Sequence, residues 1–141
     1  MPKSNDAMAT QVQHRLPHGS EAPAAARRAV DVLRDALDPA ALGRLRLLVS
    51  ELVTNAVRHG RPMDGNGVEL RVGVDDERAR VEVVDGGGGF APPGAPARAE
   101  QVGGWGLMVV DRLADRWGVE TNGKTLVWLE FDAPSGVRHV R

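Results

Sequence analysis

The stretch from Pro39 to Gly60, PAALGRLRLLVSELVTNAVRHG, predicts one long amphipathic helix. Apolar side chains recur along it at steps of three and four residues, at Leu42, Leu45, Val49, Leu52 and Ala56. This spacing lines one face of a helix with about 3.6 residues per turn. Asp38 is a suitable N-cap, Pro39 fits the first helical position, and Gly60 is a typical residue at a helix end. The helix has one face ready to cover a sheet.

The residues before this helix predict a short strand and a first helix. Residues 1–10 are polar and unpatterned, which indicates a disordered tail. Gln11–Leu16 alternates weakly between apolar and polar side chains and suits an edge strand. Ser20 is a candidate N-cap for a helix that continues, with apolar residues at helical spacing, to Leu37.

After the long helix, the apolar period changes from helical to two. From Gly67 onward, apolar side chains alternate with polar ones, at Val68, Leu70, Val72 and Val74. A period of two predicts a strand with one buried face. Across the polar turn 75–78, Val81–Val84 predicts a second strand.

The last third of the chain predicts a loop, a helix and a hairpin. Residues 85–104 are rich in glycine and proline, which is typical of a loop. Gly106–Arg116 has apolar residues at helical spacing. Trp117–Thr121 and Lys124–Phe131 flank Asn122-Gly123, a strong hairpin signal.

The predicted elements follow in the order strand, helix, helix, strand, strand, loop, helix, strand, strand. This order predicts an α/β two-layer sandwich, in which helices cover one face of a mixed, largely antiparallel sheet. A length of 141 residues is typical of one domain. We expect that domain at residues 11–132, with a C-terminal tail at residues 133–141.

The composition excludes several classes of protein. Lys and Arg together number 18 against 19 Asp and Glu, and the pI is about 6.4, which argues against direct nucleic-acid binding. The absence of cysteine excludes disulfides, zinc–thiolate sites and thiol nucleophiles. No stretch has the roughly 20 apolar residues of a membrane helix, and the N-terminus lacks a signal-peptide core. We therefore expect a cytoplasmic protein without a membrane partner.

A carboxylate and a carboxamide lie together on the long helix. Glu51 and Asn55 are four residues apart, so their side chains share one side of the helix, beside the apolar stripe. An amide oxygen suits a hard cation such as Mg²⁺, and a carboxylate can orient or deprotonate a hydroxyl. An ordinary solvated helix face is the alternative interpretation of this pair.

Two glycine-rich clusters suit a nucleotide. Asp85 follows the predicted strand Val81–Val84 and precedes Gly86–Gly89. Its carboxylate can accept a hydrogen bond from an exocyclic amine such as that of adenine, and the glycines let the backbone approach a flat ring. Gly103-Gly104-Trp105-Gly106 leads into a predicted helix, where free N–H groups favour phosphate. No Gly-Lys-Ser/Thr follows these glycines, so a Walker P-loop is excluded. Each cluster alone is also consistent with a flexible loop.

Together, the clusters resemble a known superfamily in order and spacing. The motifs concerned are Glu51-x-x-x-Asn55, Asp85-x-Gly87-x-Gly89-Phe90, Gly104-x-Gly106-Leu107 and Gly123-Lys124-Thr125. They are similar to the nucleotide-binding boxes of the GHKL ATPases, which include gyrase, histidine kinases and mismatch-repair ATPases. Within that superfamily, residues 10–132 look most like the small anti-sigma-factor serine/threonine kinases. The resemblance implies the Bergerat-type ATP-binding fold.

The resemblance also implies a role for each matching residue. Asn55 corresponds to the Mg²⁺ ligand that bridges to the phosphates, and Glu51 to the general base. Asp85 corresponds to the residue that binds the adenine amine, and Thr125 to the threonine near the adenine and its bound water. The backbone positions implied at the nucleotide are Gly87, Gly89, Gly104, Gly106 and Leu107.

Two features depart from the family pattern. Four consecutive glycines follow Asp85 where the pattern requires two, and the extra ones are expected to add flexibility. The predicted lid, residues 91–102, carries a single basic residue, Arg98, although phosphoryl transfer usually uses positive charge beyond the metal. The histidines of the predicted tails and edges show no metal-ligand spacing: His14, His18 and His139.

The function that the resemblance implies is an ATP-dependent, Mg²⁺-dependent serine/threonine protein kinase. Such a protein holds a sigma factor, phosphorylates an anti-sigma-factor antagonist, and so regulates transcription by partner switching. The single basic residue of the lid favours an alternative, a non-catalytic nucleotide-sensing regulatory module. A third interpretation is an interaction domain whose nucleotide boxes are vestigial. A homodimer is consistent with the family.

Overall fold

The computed structural model describes residues 10–87 and 107–133, with only the backbone of Leu107. The helices and strands over these ranges are, in chain order, β1 (Thr10–Leu16), α1 (Ala22–Val30), α2 (Pro39–His59), β2 (Val68–Val74), β3 (Arg78–Asp85), α3 (Leu107–Leu113), β4 (Arg116–Thr121) and β5 (Thr125–Asp132). The order of elements is the predicted one. The predicted lid and most of the predicted glycine-rich loop lie outside the described residues.

The described strands form one five-stranded sheet in the order β1-β2-β3-β5-β4. All four pairings are antiparallel, including the central one between β3 and β5. The helices pack on one face of this sheet, so the predicted α/β two-layer sandwich is confirmed. The sheet, predicted as mixed and largely antiparallel, is antiparallel throughout its described pairings. β1 lies at an edge, as its weak alternation predicted.

The long helix α2 has the bounds that its sequence predicted. The Asp38 side chain accepts a hydrogen bond from the Ala41 N–H at 2.7 Å, which caps the first turn. At the other end, the Gly60 N–H donates to the Ala56 carbonyl at 3.0 Å. The buried residues of α2 are Leu45, Leu48, Val49, Leu52, Val53, Asn55 and Ala56. Asn55 is the polar member of this otherwise apolar set.

The first helix is shorter than predicted. It begins at Ala22, with Glu21 rather than Ser20 at the N-cap position, and Pro23 lies in its first turn. Proline suits that turn because its missing N–H has no helical partner there. After Val30 the chain tightens into a 3₁₀ turn at Asp31–Leu33 instead of continuing as an α-helix to Leu37.

The core lies between the helices and the face of the sheet that they cover, which we call the helical face. Strand residues of that face alternate as predicted for β2, and they are buried throughout: Leu70, Val72, Val81, Val83, Val127, Leu129 and Phe131. β3 is longer than its predicted four residues because its pairing with β5 runs from Arg78 opposite Asp132 to Asp85 opposite Thr125. That register decides which side chains meet at the end of the sheet.

The other face of the sheet, the outer face, carries a network of ion pairs that crosses all five strands. Its pairs, within 4 Å, are Arg15–Glu69, Arg71–Glu69, Arg71–Glu82, Arg80–Glu82, Arg80–Glu130, Arg78–Glu130, Arg116–Glu130 and Arg116–Asp132. We call this set the outer-face network. Glu130, at its centre, has no exposed surface. The arginine stems cover the carboxylates and the Arg80 guanidinium also lies 4.8 Å from the centre of the Trp128 ring.

Candidate functional site

Asp85 and Thr125 meet at one end of the two central strands. Asp85 is the last residue of β3 and Thr125 the first of β5, and the two are paired in the antiparallel register. Both are 2% exposed. Alternation along each strand places them on the helical face, in line with Val83 and Val127. A buried carboxylate and a hydroxyl therefore lie where the apolar core stops, at this end of the sheet.

The Asp85 carboxylate is held from two sides. Its Oδ1 accepts a hydrogen bond from the Gly87 N–H at 2.6 Å. Its Oδ2 lies so close to Gly60, at the end of α2, that a Cβ on Gly60 would overlap the carboxyl group. Burial raises the pKa of Asp85 above its ordinary value, and the Gly87 N–H and the nearby His18 act in the opposite direction. Part of the buried charge is therefore left uncompensated.

The glycines after Asp85 are fixed by close packing. The Gly86 N–H donates to the Arg61 carbonyl at 2.6 Å, and a Cβ on Gly86 would overlap the backbone of Pro62. Gly87 has φ +99°, and a Cβ there would be 2.7 Å from the Gly123 carbonyl oxygen. Gly86 was expected to add flexibility, and the structure shows that it also lets the chain pass close to the Pro62 backbone. The predicted role of Gly87 at a nucleotide stays a prediction.

Asn55 and Glu51 lie on the same side of α2, upstream of Gly60. Asn55 is 3% exposed, and its Nδ2 is buried without a hydrogen-bond partner among the described residues. A buried polar atom without a partner costs about 1–3 kcal/mol, so such an atom calls for a functional explanation. Glu51, one turn earlier, is half-buried and has no ion pair or hydrogen bond within the described part of the chain. Its neighbour Ser50, in contrast, accepts a hydrogen bond from Arg27 at 2.8 Å.

The buried end of Asn55 fits a ligand oxygen or a metal ion. Its Nδ2 can donate to a phosphate oxygen, and a half-turn of the amide would present Oδ1 to a hard cation. Within residues 10–87 and 107–133, no group of three His, Cys, Asp or Glu side chains could hold a metal ion. A magnesium ion that is held mainly by nucleotide phosphates needs few protein ligands. The donor set of the site is therefore compatible with Mg²⁺ carried by a nucleotide.

The structure brings together only part of the predicted site. Asp85, Thr125 and Gly87 converge at one end of the sheet, and the Gly60 contact joins them to the end of α2. Leu107 is the first residue of α3, which packs against α2. The other predicted backbone positions lie outside the described residues: Gly89, Gly104 and Gly106.

Two residues of this region were not predicted. Gly60 was interpreted as a helix end, and the structure shows that the absence of its side chain also makes room for Asp85. His18 was assigned to an edge without a role, and the structure places it within electrostatic reach of Asp85. No sequence pattern relates His18 to Asp85, because they are 67 positions apart. Only the pairing of the strands brings them to the same end of the sheet.

Comparisons with known proteins agree with this fold. The sequence model of the histidine kinase-like ATPase domain matches residues 19–131. The serine-protein kinase RsbW of Bacillus subtilis (strain 168) is 35% identical, over an alignment that covers 59% of each chain. The chain thus spans a little over half the length of this relative.

The fold and the family match define the protein as an ATP-binding domain of the two-layer α/β class. More particularly, the chain belongs to the histidine kinase-like ATPase domain family, because the match covers most of its length. The predicted resemblance is thereby confirmed. Among the described helices, none has the length and apolar character needed to cross a membrane.

Proposed function

We propose that this protein is an ATP-dependent serine/threonine protein kinase of the anti-sigma-factor type. The observation that carries the proposal is the buried Asn55 amide, whose Nδ2 has no partner among the described residues, on the same helix as an unpaired Glu51. The similarity to a bacterial serine-protein kinase supports the same reaction.

We place the adenine at the end of the sheet. The Asp85 carboxylate accepts the hydrogen bond of the base amine, with Oδ1 already held by the Gly87 N–H. Thr125, directly across from Asp85, contributes a hydroxyl near the base and its bound water. The backbone of Gly86 and Gly87, packed against Pro62 and Gly123, forms the adjoining wall of the proposed adenine site.

We place the phosphates beside α2, with Asn55 as the Mg²⁺ ligand. The ion supplies positive charge that neutralises the phosphate oxygens during transfer. The predicted backbone contacts of Gly89, Gly104, Gly106 and Leu107 remain part of this proposal. Burial of Asn55 keeps its amide in one place and lowers the entropic cost of orienting it when the nucleotide binds.

Glu51 is the general base of the proposed reaction. Its carboxylate accepts the proton of a serine or threonine hydroxyl, whose oxygen attacks the γ-phosphorus. The bond between the γ-phosphorus and the bridging oxygen of the β-phosphate breaks, so the products are ADP and a phosphorylated side chain. A half-buried carboxylate without an ion pair in the described residues is available for this step.

The partners in this proposal are a sigma factor and an anti-sigma-factor antagonist. The antagonist supplies the hydroxyl, and its phosphorylation changes which partner is held, so transcription responds to the ATP state. This assignment places the protein in the cytoplasm and is compatible with a homodimer. It rests on the family resemblance and on the name of the relative rather than on a recognition surface.

The experiment that tests the proposed function compares phosphoryl transfer with nucleotide binding in Glu51→Gln. Transfer from γ-labelled ATP to proteins that co-purify with the chain should fall at least about 100-fold, because general-base catalysis is lost. The affinity for ATP should stay within about threefold, a change below about 1 kcal/mol. Glu120→Gln, on the exposed part of β4, is the matched control. Equal loss of binding and transfer in Glu51→Gln would contradict the assigned role.

The alternative, a non-catalytic nucleotide-sensing module, is favoured by the single basic residue of the predicted lid, Arg98. It predicts that ATP changes the affinity for a partner protein while the γ-phosphate stays on the nucleotide. Label on a co-purified partner would exclude this alternative. Tight, Mg²⁺-dependent ATP binding without transfer would support it.

A further inference from the structure

Leu47 is an exposed leucine on α2, the helix that carries the proposed reaction site. It is 43% exposed and does not pack against the core. A single exposed leucine is common on protein surfaces, so its exposure alone assigns it no role. Its place on the helix distinguishes it. The other leucines of α2 lie in the core or pack against it: Leu42, Leu45, Leu48 and Leu52.

Asn55, Glu51 and Leu47 lie on successive turns of α2, four residues apart. Each step of four residues advances about 6 Å along the helix axis and turns about 40° around it. The line therefore winds from the packed side of the helix to its surface. Burial follows the same order, because Asn55 is buried, Glu51 is half-buried and Leu47 is exposed. Leu47 is thus the first exposed side chain beyond the proposed general base.

The proposed nucleotide approaches this line from the C-terminal end of α2. Asp85, which we place at the adenine, lies against Gly60 at that end of the helix. In phosphoryl transfer, the attacking oxygen and the leaving oxygen lie roughly in line, on opposite sides of the phosphorus. Since ADP leaves on the Gly60 side, the acceptor hydroxyl has to approach from the other side of Glu51, where Leu47 lies.

The turn of α2 beyond Leu47 bears no side chain at Gly43. Gly43 is exposed, and a Cβ at this position would meet no atom within 4 Å. A glycine inside a helix destabilises it relative to alanine, and no packing in the described part of the chain requires this one. Bare backbone beside an exposed leucine lets another chain approach the helix closely.

The polar neighbours of Leu47 on the side of α1 are already engaged within the fold. Arg46 is ion-paired with Asp31. Ser50 accepts a hydrogen bond from Arg27 at 2.8 Å. The contact that remains for a partner at this point of the surface is therefore the apolar side chain of Leu47.

We propose that Leu47 and Gly43 form the docking contact for the protein substrate, an acceptor segment with an apolar side chain close to its serine or threonine. This inference rests on the proposed kinase function and names the class of substrate. One helical step of four residues, about 6 Å, is close to the spacing of alternate side chains on an extended chain. An apolar residue two positions from the hydroxyl can therefore contact Leu47 while the hydroxyl lies at Glu51.

The test measures the steady-state kinetics of transfer to the partner protein that the wild type labels from γ-labelled ATP. Leu47→Ser should raise the KM for that partner at least about tenfold, because burial of the leucine is lost. The KM for ATP and the kcat at saturating partner should stay within about twofold, since neither the nucleotide site nor Glu51 is changed. Val32→Ser is the matched control, because Val32 is 68% exposed on the 3₁₀ turn, and it should follow the wild type.

Gly43→Ala separates docking from folding. Alanine favours the helix, so urea unfolding should show equal or greater stability than in the wild type. The KM for the partner should nevertheless rise, because the new Cβ occupies the approach to the helix. A rise in this KM together with undiminished stability is not a consequence of misfolding.

A crosslink locates the contact on the substrate. The chain contains no cysteine, so Leu47→Cys can carry a single photocrosslinker. Its crosslink to the labelled partner should map within about three residues of the phosphorylated hydroxyl, the reach of a short extended segment. The same reagent on Val32→Cys should give no crosslink there.

The outcomes separate this inference from the proposed function. If the wild type labels its partner while Leu47→Ser keeps the wild-type KM, the docking role is wrong and the kinase stands. A crosslink from Leu47→Cys far from the phosphorylated residue overturns the docking role as well, as does an equal rise of the KM for ATP in Leu47→Ser. If the wild type labels no protein, the proposed kinase and the docking contact fall together.

Discussion

On the outer face of the sheet, the buried Glu130 carboxylate is ion-paired with three arginines. On the other side of the sheet, where α2 packs, the buried Asn55 amide has an Nδ2 without a partner among the described residues. Both side chains are almost completely inaccessible, at 0% and 3% exposed. The outer-face carboxylate is satisfied by the fold itself. The described residues leave the Asn55 amide without an acceptor for its Nδ2, which is the behaviour expected of a binding group.

The shape of the surface alone would favour the face opposite the proposed site. An open depression of about 620 Å³ lies on the outer face, at the same end of the sheet, and is lined in part by Glu69, Arg71, Glu120 and Lys124. Glu69 and Arg71 are already paired with each other at 2.9 Å. Their partners within the fold leave them little to offer a ligand, so hydrogen-bond satisfaction favours the helical face for the proposed site.

The largest effect on this comparison is expected from Glu130→Ala. The change leaves three arginines around a site with no carboxylate, and breaking a buried ion-pair network costs about 3–5 kcal/mol. Urea unfolding should show that loss in the free energy of unfolding. Asp132→Ala is the matched control: its side chain is 65% exposed, so its ion pair contributes at most about 1 kcal/mol. A loss below about 1 kcal/mol for Glu130→Ala would show that the network does not hold the sheet.

A smaller effect, on ATP affinity rather than on stability, is expected from Asp85→Asn. The amide keeps an oxygen for the Gly87 N–H but presents an NH₂ group where the base amine needs an acceptor. ATP affinity should fall about 10- to 100-fold, the cost of a charge-assisted hydrogen bond, while the free energy of unfolding at neutral pH should not fall. Calorimetry and urea unfolding measure the two quantities, with exposed Asp64→Asn as the control. Reduced stability with unchanged ATP affinity would assign Asp85 to the fold.

The smallest expected effect is the pH dependence of stability, which should have opposite signs on the two faces. Burial raises the pKa of Asp85, so the folded state holds this proton more tightly than the unfolded state does. The stability that protonated Asp85 contributes is therefore lost as the pH rises through the pKa of Asp85 in the folded state. Burial also acts to raise the pKa of Glu69, but the hydrogen bond and charge of Arg71 outweigh it and the pKa is lowered. The Glu69 contribution is therefore present above the ordinary carboxyl range and lost as the pH falls through the folded-state value.

Urea unfolding from acid to alkaline pH measures these contributions. Relative to the wild type, Asp85→Asn should become more stable as the pH rises, and Glu69→Gln should become less stable. The same sign for both variants would mean that the two faces bury their carboxylates in the same way.

The sequence predicted best those features that depend on local spacing. The Asp38 cap, the apolar stripe of α2 and the period of two in β2 each follow from neighbours within a few residues, and the structure confirms them. The end of α1 was less predictable, because its 3₁₀ turn forms at the packed junction with α2, where Asp31 pairs with Arg46. Propensity along one helix does not contain that information.

Long-range features were beyond the sequence. The outer-face network depends on the register of five strands, and the contact of Gly60 with Asp85 depends on how α2 meets β3. His18 looked like an edge residue because nothing near it in the chain signals a site. The resemblance to the ATPase superfamily nevertheless selected Asn55, whose buried Nδ2 has no partner among the described residues, and Asp85, whose pKa burial raises.

The most direct test of this account is an ATP titration by calorimetry, with Mg²⁺ or with a chelator, on the wild type and on Asn55→Ala. Ser50→Ala is the control, since Ser50 lies on the same helix and is already bonded to Arg27. The account predicts Mg²⁺-dependent binding to the wild type and to Ser50→Ala, weakened at least about tenfold in Asn55→Ala by loss of a buried ligand. Equal binding by the wild type and Asn55→Ala, or no binding by either, would contradict it.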